Sequence, residues 1–63
     1  MNHNHYIVTF KNGKTVFVSS LFNEEEAKIL AQAVLIKNGM TYEMENIKRT
    51  SNLSDMADTD FVA

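Results

Sequence analysis

Two histidines two residues apart, His3 and His5, are the first side chains in the chain able to do chemistry. On an extended strand residues i and i+2 share a face, so the pair could chelate a metal. A His at position three also allows a square-planar Cu(II) or Ni(II) site built from a free Met1 amine, two backbone amides and the His3 imidazole. Both sit in the polar run Met1-Asn2-His3-Asn4-His5, where solvated imidazoles are the simpler reading, and no metal is expected. Catalysis lacks its parts as well. There is no Cys, Gly13 and Gly39 have turn and cap duties, and Glu24, Glu25 and Glu26 belong to a helix start. With no nucleophile beside a base, no carboxylate pair in a cleft and no phosphate cradle, neither an enzyme nor a cofactor is expected. Four bases, Lys11, Lys14, Lys48 and Arg49, make a nucleic-acid-binding regulator the alternative, with Tyr6 and Phe10 as a stacking platform. Core aromatics with solvated lysines are the simpler account of those residues.

The composition limits what could position such groups. A chain of 63 residues with 44% hydrophobic and 22% charged residues is an ordinary globular composition, and it suits one small domain. A domain of this size buries only about 60% of its unfolded surface, too little to enclose a deep substrate cleft. Six basic against eight acidic residues give a net charge of −2, too weak to announce nucleic acid as the partner. Residues 1–50 carry six bases and five acids, +1, whereas residues 51–63 carry three Asp and no base, −3. No apolar run is long enough for a membrane span, and the polar start lacks a signal-peptide pattern, so a cytoplasmic protein is expected.

The β-rich runs Tyr6–Lys11 and Lys14–Ser19 flank Asn12-Gly13, which predicts a hairpin with a two-residue type I′ turn. That register sets Lys11 opposite Lys14, Thr9 opposite Val16, Val8 opposite Phe17 and Ile7 opposite Val18. Tyr6, Val8, Phe10 and Phe17 then share one face, and Ile7, Val16 and Val18 the other. Asn23 before three Glu predicts a helix cap, with Lys37 in the last turn and Gly39 just beyond the end near Asn38. Ala27, Leu30, Ala31, Val34 and Leu35 form its core stripe, while Ile29, Ala33 and Ile36 fall on the opposite side. The alternation after Gly39 predicts a third strand within Met40–Arg49, beside the first and antiparallel to it. The expected fold is α+β: a ββαβ domain over residues 1–50, with sheet order 2-1-3 and one helix on one face. Residues 51–63 are expected to be an acidic, partly mobile tail with one helical turn.

This arrangement leaves apolar surface over. Ile7, Val16 and Val18, joined by Ile47 and rimmed by Lys11, Lys14, Glu43 and Glu45, have the apolar centre and charged rim of a protein interface. The competing reading is that Leu53, Met56 and Phe61 of the tail fold back over that face; otherwise those three are expected to bind a partner. A homodimer through the sheet face is the expected assembly, with the helix back left for another protein.

The stretches YIVTFKNGKTVFV, NEEEAKILAQA and NGMTYEMENIKR resemble, over residues 6–50, the small orphan proteins encoded by phages and prophages of Gram-positive bacteria. The resemblance implies a non-enzymatic protein-binding module that inhibits or modulates a host or defence protein in the host cytoplasm. It implies no functional residue.

Overall fold

A computed structural model describes residues 3–20 and 23–63. The chain forms strands β1 (Asn4–Phe10) and β2 (Thr15–Ser20), helix α1 (Glu24–Lys37), strand β3 (Met44–Thr50), a 3-10 helix (Leu53–Asp58) and strand β4 (Phe61–Val62). The strands make an open mixed sheet in the order β3-β1-β2-β4. β1 is antiparallel to both β2 and β3, and β4 runs parallel to β2. The α+β class with one helix is as expected, and so is β3 beside β1. The sheet has four strands rather than three, because β4 lies in the segment expected to be a tail.

The hairpin differs in a way that redistributes the side chains. A type I′ turn needs positive φ at both central residues, and among the described residues only glycines adopt it: Gly13 does at φ 87°, and Asn12 does not. Asn12 instead accepts a bond from the Lys14 N–H at 3.0 Å through its Oδ1. Phe10 N–H donates to Lys14 C=O at 2.9 Å and Gly13 N–H to Phe10 C=O at 3.0 Å, closing a three-residue loop, Lys11–Gly13. The extra loop residue shifts the pairing by one, to Ile7 with Phe17, Val8 with Val16 and Thr9 with Thr15. A one-residue shift turns the whole second strand over. Val16 and Val18 thus join Tyr6, Val8 and Phe10 under the helix, and Phe17 goes to the opposite face with Ile7. This register puts two apolar residues of β2 into the main core, where the expected one would put Phe17 alone.

Helix α1 has the ends its sequence encodes. Asn23 Oδ1 accepts from the Glu26 N–H at 3.1 Å, satisfying one of the free amides of the first turn. At the other end Gly39 has φ 71°, its N–H donates to Ile36 C=O, and Met40 N–H reaches back to Leu35 C=O. That bond pair is a Schellman closure, and Met40 packs on the core as the residue after such a closure commonly does. Ala27, Ala31 and Leu35 are fully buried against the hairpin, with Leu30 and Val34 at the margin.

Between β3 and β4 the chain passes from one edge of the sheet to the other. It leaves β3 at Thr50, level with His5, and enters β4 beside Val16 near the hairpin tip. Because α1 occupies one face, this crossing runs over the face that carries Ile7 and Phe17. Phe17 is accordingly only 1% exposed although it is not part of the cluster beneath the helix.

Candidate protein-binding surface

The four residues expected to form an apolar sheet face do not form one. Val16 and Val18 are fully buried in the core under α1, for the register reason above. Ile47 pairs with Val8 and packs against the same core, so it too lies on the helix side. Only Ile7 lies on the second face, and it is half-buried. On that face Ile7 is joined by His5 and Thr9 of β1, by Thr15, Phe17 and Ser19 of β2, and by Asn46, Lys48 and Thr50 of β3, beneath the crossing segment. The rim residues separate as well: Lys11 and Glu43 form an exposed ion pair at 2.9 Å beside the hairpin loop.

The histidines serve this face. The His5 ring stacks on Phe17 with centroids 5.5 Å apart, and the His3 ring lies over His5 at 6.5 Å. His5 Nδ1 is 2.9 Å from Ser19 Oγ, across the β1–β2 pair. The ring therefore covers part of an aromatic side chain that would otherwise meet water. Among the described residues no three His, Asp or Glu side chains gather as metal ligands. Met1 and Asn2, which an amino-terminal copper site would need, lie outside the described residues.

The four bases occupy two places. Lys11 and Lys14 flank the hairpin loop, whereas Lys48 lies opposite Ile7 and Arg49 opposite Tyr6 along the strand. Arg49 Nη2 also donates to Asn4 Oδ1 at 2.8 Å. They form no continuous basic groove of the kind that tracks a phosphate backbone. No helix of the described residues is long and apolar enough to cross a membrane.

What remains apolar and open is the back of α1. Ile29 is 60% and Ile36 58% exposed, and Ala33 between them is exposed too. The stripe lies on the side of the helix opposite Ala27, Ala31 and Leu35, bounded by Glu25 at the helix start and Lys37 at its end. Leu53 and Met56 on the 3-10 helix and Val62 on β4 are further exposed apolar side chains. Phe61 differs from them because it pairs with Val16 and packs half-buried on the core.

The sequence reading missed the joint that ties β4 to the hairpin. Asp60 Oδ2 accepts from the Thr15 N–H at 2.9 Å and from Thr15 Oγ1 at 3.1 Å. The Asp60 N–H in turn donates to Thr15 C=O at 3.1 Å. The two bonds that the carboxylate accepts from Thr15, with the Lys14 charge nearby, hold the Asp60 carboxyl below its ordinary pKa. The 3-10 helix is organised in the same local way: Asn52 Oδ1 caps Ser54 N–H at 3.0 Å, and Thr50 Oγ1 donates to Asp55 Oδ2 at 2.7 Å. Asp, Asn, Ser and Thr are poor in helix interiors because they make such bonds, and here the bonds define the crossing.

The molecule is thus a small α+β domain with one helix on an open, mixed four-stranded sheet. Compared with known proteins, the chain matches no family model, no curated protein and no solved structure.

Proposed function

We propose that this chain is a small non-enzymatic protein-binding module, of the kind that inhibits or modulates a host or defence protein, and that the back of α1 meets the partner. One observation carries the reading: two isoleucines, each more than half exposed, one on either side of Ala33 on a helix whose other face already fills the core. Burying a large aliphatic side chain is worth roughly 1.5–3 kcal/mol. Placing two of them in water on one stripe is unfavourable for solubility and is explained by a surface that they complete. A groove that receives an amphipathic helix reads its anchors at i, i+4 and i+7, the spacing of Ile29, Ala33 and Ile36.

The test is affinity capture from a Gram-positive bacterial lysate with the wild-type chain and with Ile29→Lys/Ile36→Lys as control. The captured protein is then purified and titrated with both. A protein retained by the wild type, lost with the variant and binding again when pure is the expected result. Identical capture by both chains would remove α1 from the function.

A further inference from the structure

β3 is an outer strand of the sheet, seven residues long, and its free side displays a definite set of backbone groups. The Phe10 N–H and C=O both bond toward β2, so the even residues of β1 face β2. Lys11 N–H donates to Glu43 C=O at 2.8 Å, so the odd residues of β1 face the β3 side. His5 is paired with Thr50, Ile7 with Lys48 and Thr9 with Asn46. Those β3 residues therefore direct their N–H and C=O groups inward, and Ile47 and Arg49 between them direct theirs to the open edge. Glu45 sits at the irregularity opposite the Thr9–Phe10 step, and its side chain is exposed.

An open edge is a template for another strand, and the order Met44-Glu45-Asn46-Ile47-Lys48-Arg49-Thr50 restricts which strand fits. When the segment is laid antiparallel to itself with Ile47 on the axis, Ile47 meets Ile47. Glu45 then meets Arg49 of the second copy, twice, and Asn46 meets Lys48, twice. Moving the axis to Lys48 sets two lysines face to face; moving it to Asn46 sets Glu45 against Ile47. Like charges directly opposite are unfavourable and unlike charges favourable in antiparallel pairs. One register alone matches both charge and apolar contact, and in it the outward backbone groups of the two Ile47 residues face each other. Arg49 is free to take part, because its guanidinium has five N–H donors and its bond to Asn4 uses one.

We propose that the free edge of β3 is a dimerisation strand: a second copy of the chain docks antiparallel across a two-fold axis at Ile47 and joins the two sheets into one. The two half-buried Ile47 side chains meet on the helix side of the joined sheet. The back of α1 takes no part in this contact, so the inference stands independently of the function proposed above.

The oligomeric state of the full chain tests it. Sedimentation equilibrium of the wild type at ~100 μM, enough to populate even a weak complex, should approach twice the 7.2 kDa chain mass. Glu45→Arg and Arg49→Glu should each raise the dissociation constant about 10-fold or more, since two unlike pairs become like pairs. An equimolar mixture of those two variants should associate again, because both facing pairs of positions 45 and 49 across the mixed dimer are then unlike charges. Arg49→Pro should dissociate the dimer and keep the far-UV circular dichroism of the monomer, because the N–H it removes points away from β1. Amide exchange on the wild type gives a readout free of mutation: Ile47 and Arg49 should become protected as concentration rises. A 7.2 kDa species alone would overturn the proposal. So would a dimer indifferent to Arg49→Pro, a mixture that fails to associate, or a dimer broken by Ile29→Lys/Ile36→Lys.

Discussion

At the scale of single residues, Asp60 ties β4 to the hairpin through its carboxylate. Its carboxylate accepts first from the Thr15 backbone N–H and second from the Thr15 hydroxyl, with Lys14 adding a favourable charge, and these lower its pKa from 3.8. A lowered folded-state pKa gives stabilisation that is fully present above the unfolded value and is lost as pH falls through the folded one. Wild type should therefore exceed Asp60→Asn in stability at neutral pH, and the difference should shrink as pH drops below the ordinary carboxylate range. Urea titrations at neutral and strongly acidic pH check this; a difference independent of pH would mean that the charge plays no part. Gly13 is the other residue with a sharp expectation. A Cβ there meets nothing within 4 Å, so Gly13→Ala is penalised by its φ of 87° alone. A loss of about 1 kcal/mol in the same urea titration is expected.

At the scale of elements, the helix separates two kinds of apolar residue that composition treats alike. Leu35→Ala should lower stability by roughly 2–5 kcal/mol, since the side chain is fully buried. Ile29→Lys and Ile36→Lys should each stay within about 0.5 kcal/mol of wild type. Thermal melts of the three variants are the check, and a large loss from either lysine would mean that the helix back is held within the fold. The helix was fully legible because Asn23, the three glutamates and Gly39 act within a turn of themselves. The hairpin was legible as a pair of strands but not in register. Asn12-Gly13 is compatible with a two-residue and a three-residue loop, and the choice depends on which residues of β2 the helix covers. That single residue decided whether Val16 and Val18 belonged to the core or to a surface. Ile47 was misplaced by a similar slip, because the irregularity at Glu45 is invisible in an alternating sequence.

At the scale of the whole molecule, the two faces of the sheet are covered by different means. An amphipathic helix covers one, and a polar 3-10 crossing that ends in a short strand covers the other. The helical spacing of Leu53, Met56, Ala57 and Phe61 gave no sign of the second cover, because Asn52, Asp55, Thr59 and Asp60 build it through local hydrogen bonds. Its parallel pairing with β2 joins residues far apart in sequence, and a two-residue strand carries no pattern of its own. The consequence is testable at Phe17. Truncating a fully buried Phe typically lowers stability by about 3–5 kcal/mol, a large share of what a domain this small possesses. Phe17→Ala should therefore destabilise as much as Leu35→Ala, although Phe17 lies outside the cluster under the helix. Removing Asp60 to Ala63 should act on both faces, because Phe61 packs on the cluster under the helix while Ala63 bonds to Phe17. It deletes the carboxylate bonds to Thr15, the Ala63 N–H bond to Phe17 C=O at 2.8 Å and the Phe61 packing. The shortened chain should bind a hydrophobic dye and melt well below wild type. If it melted with wild type and bound no dye, β4 would be a passive end and Phe17 would owe its burial to the remaining crossing, His5 and its neighbouring strands.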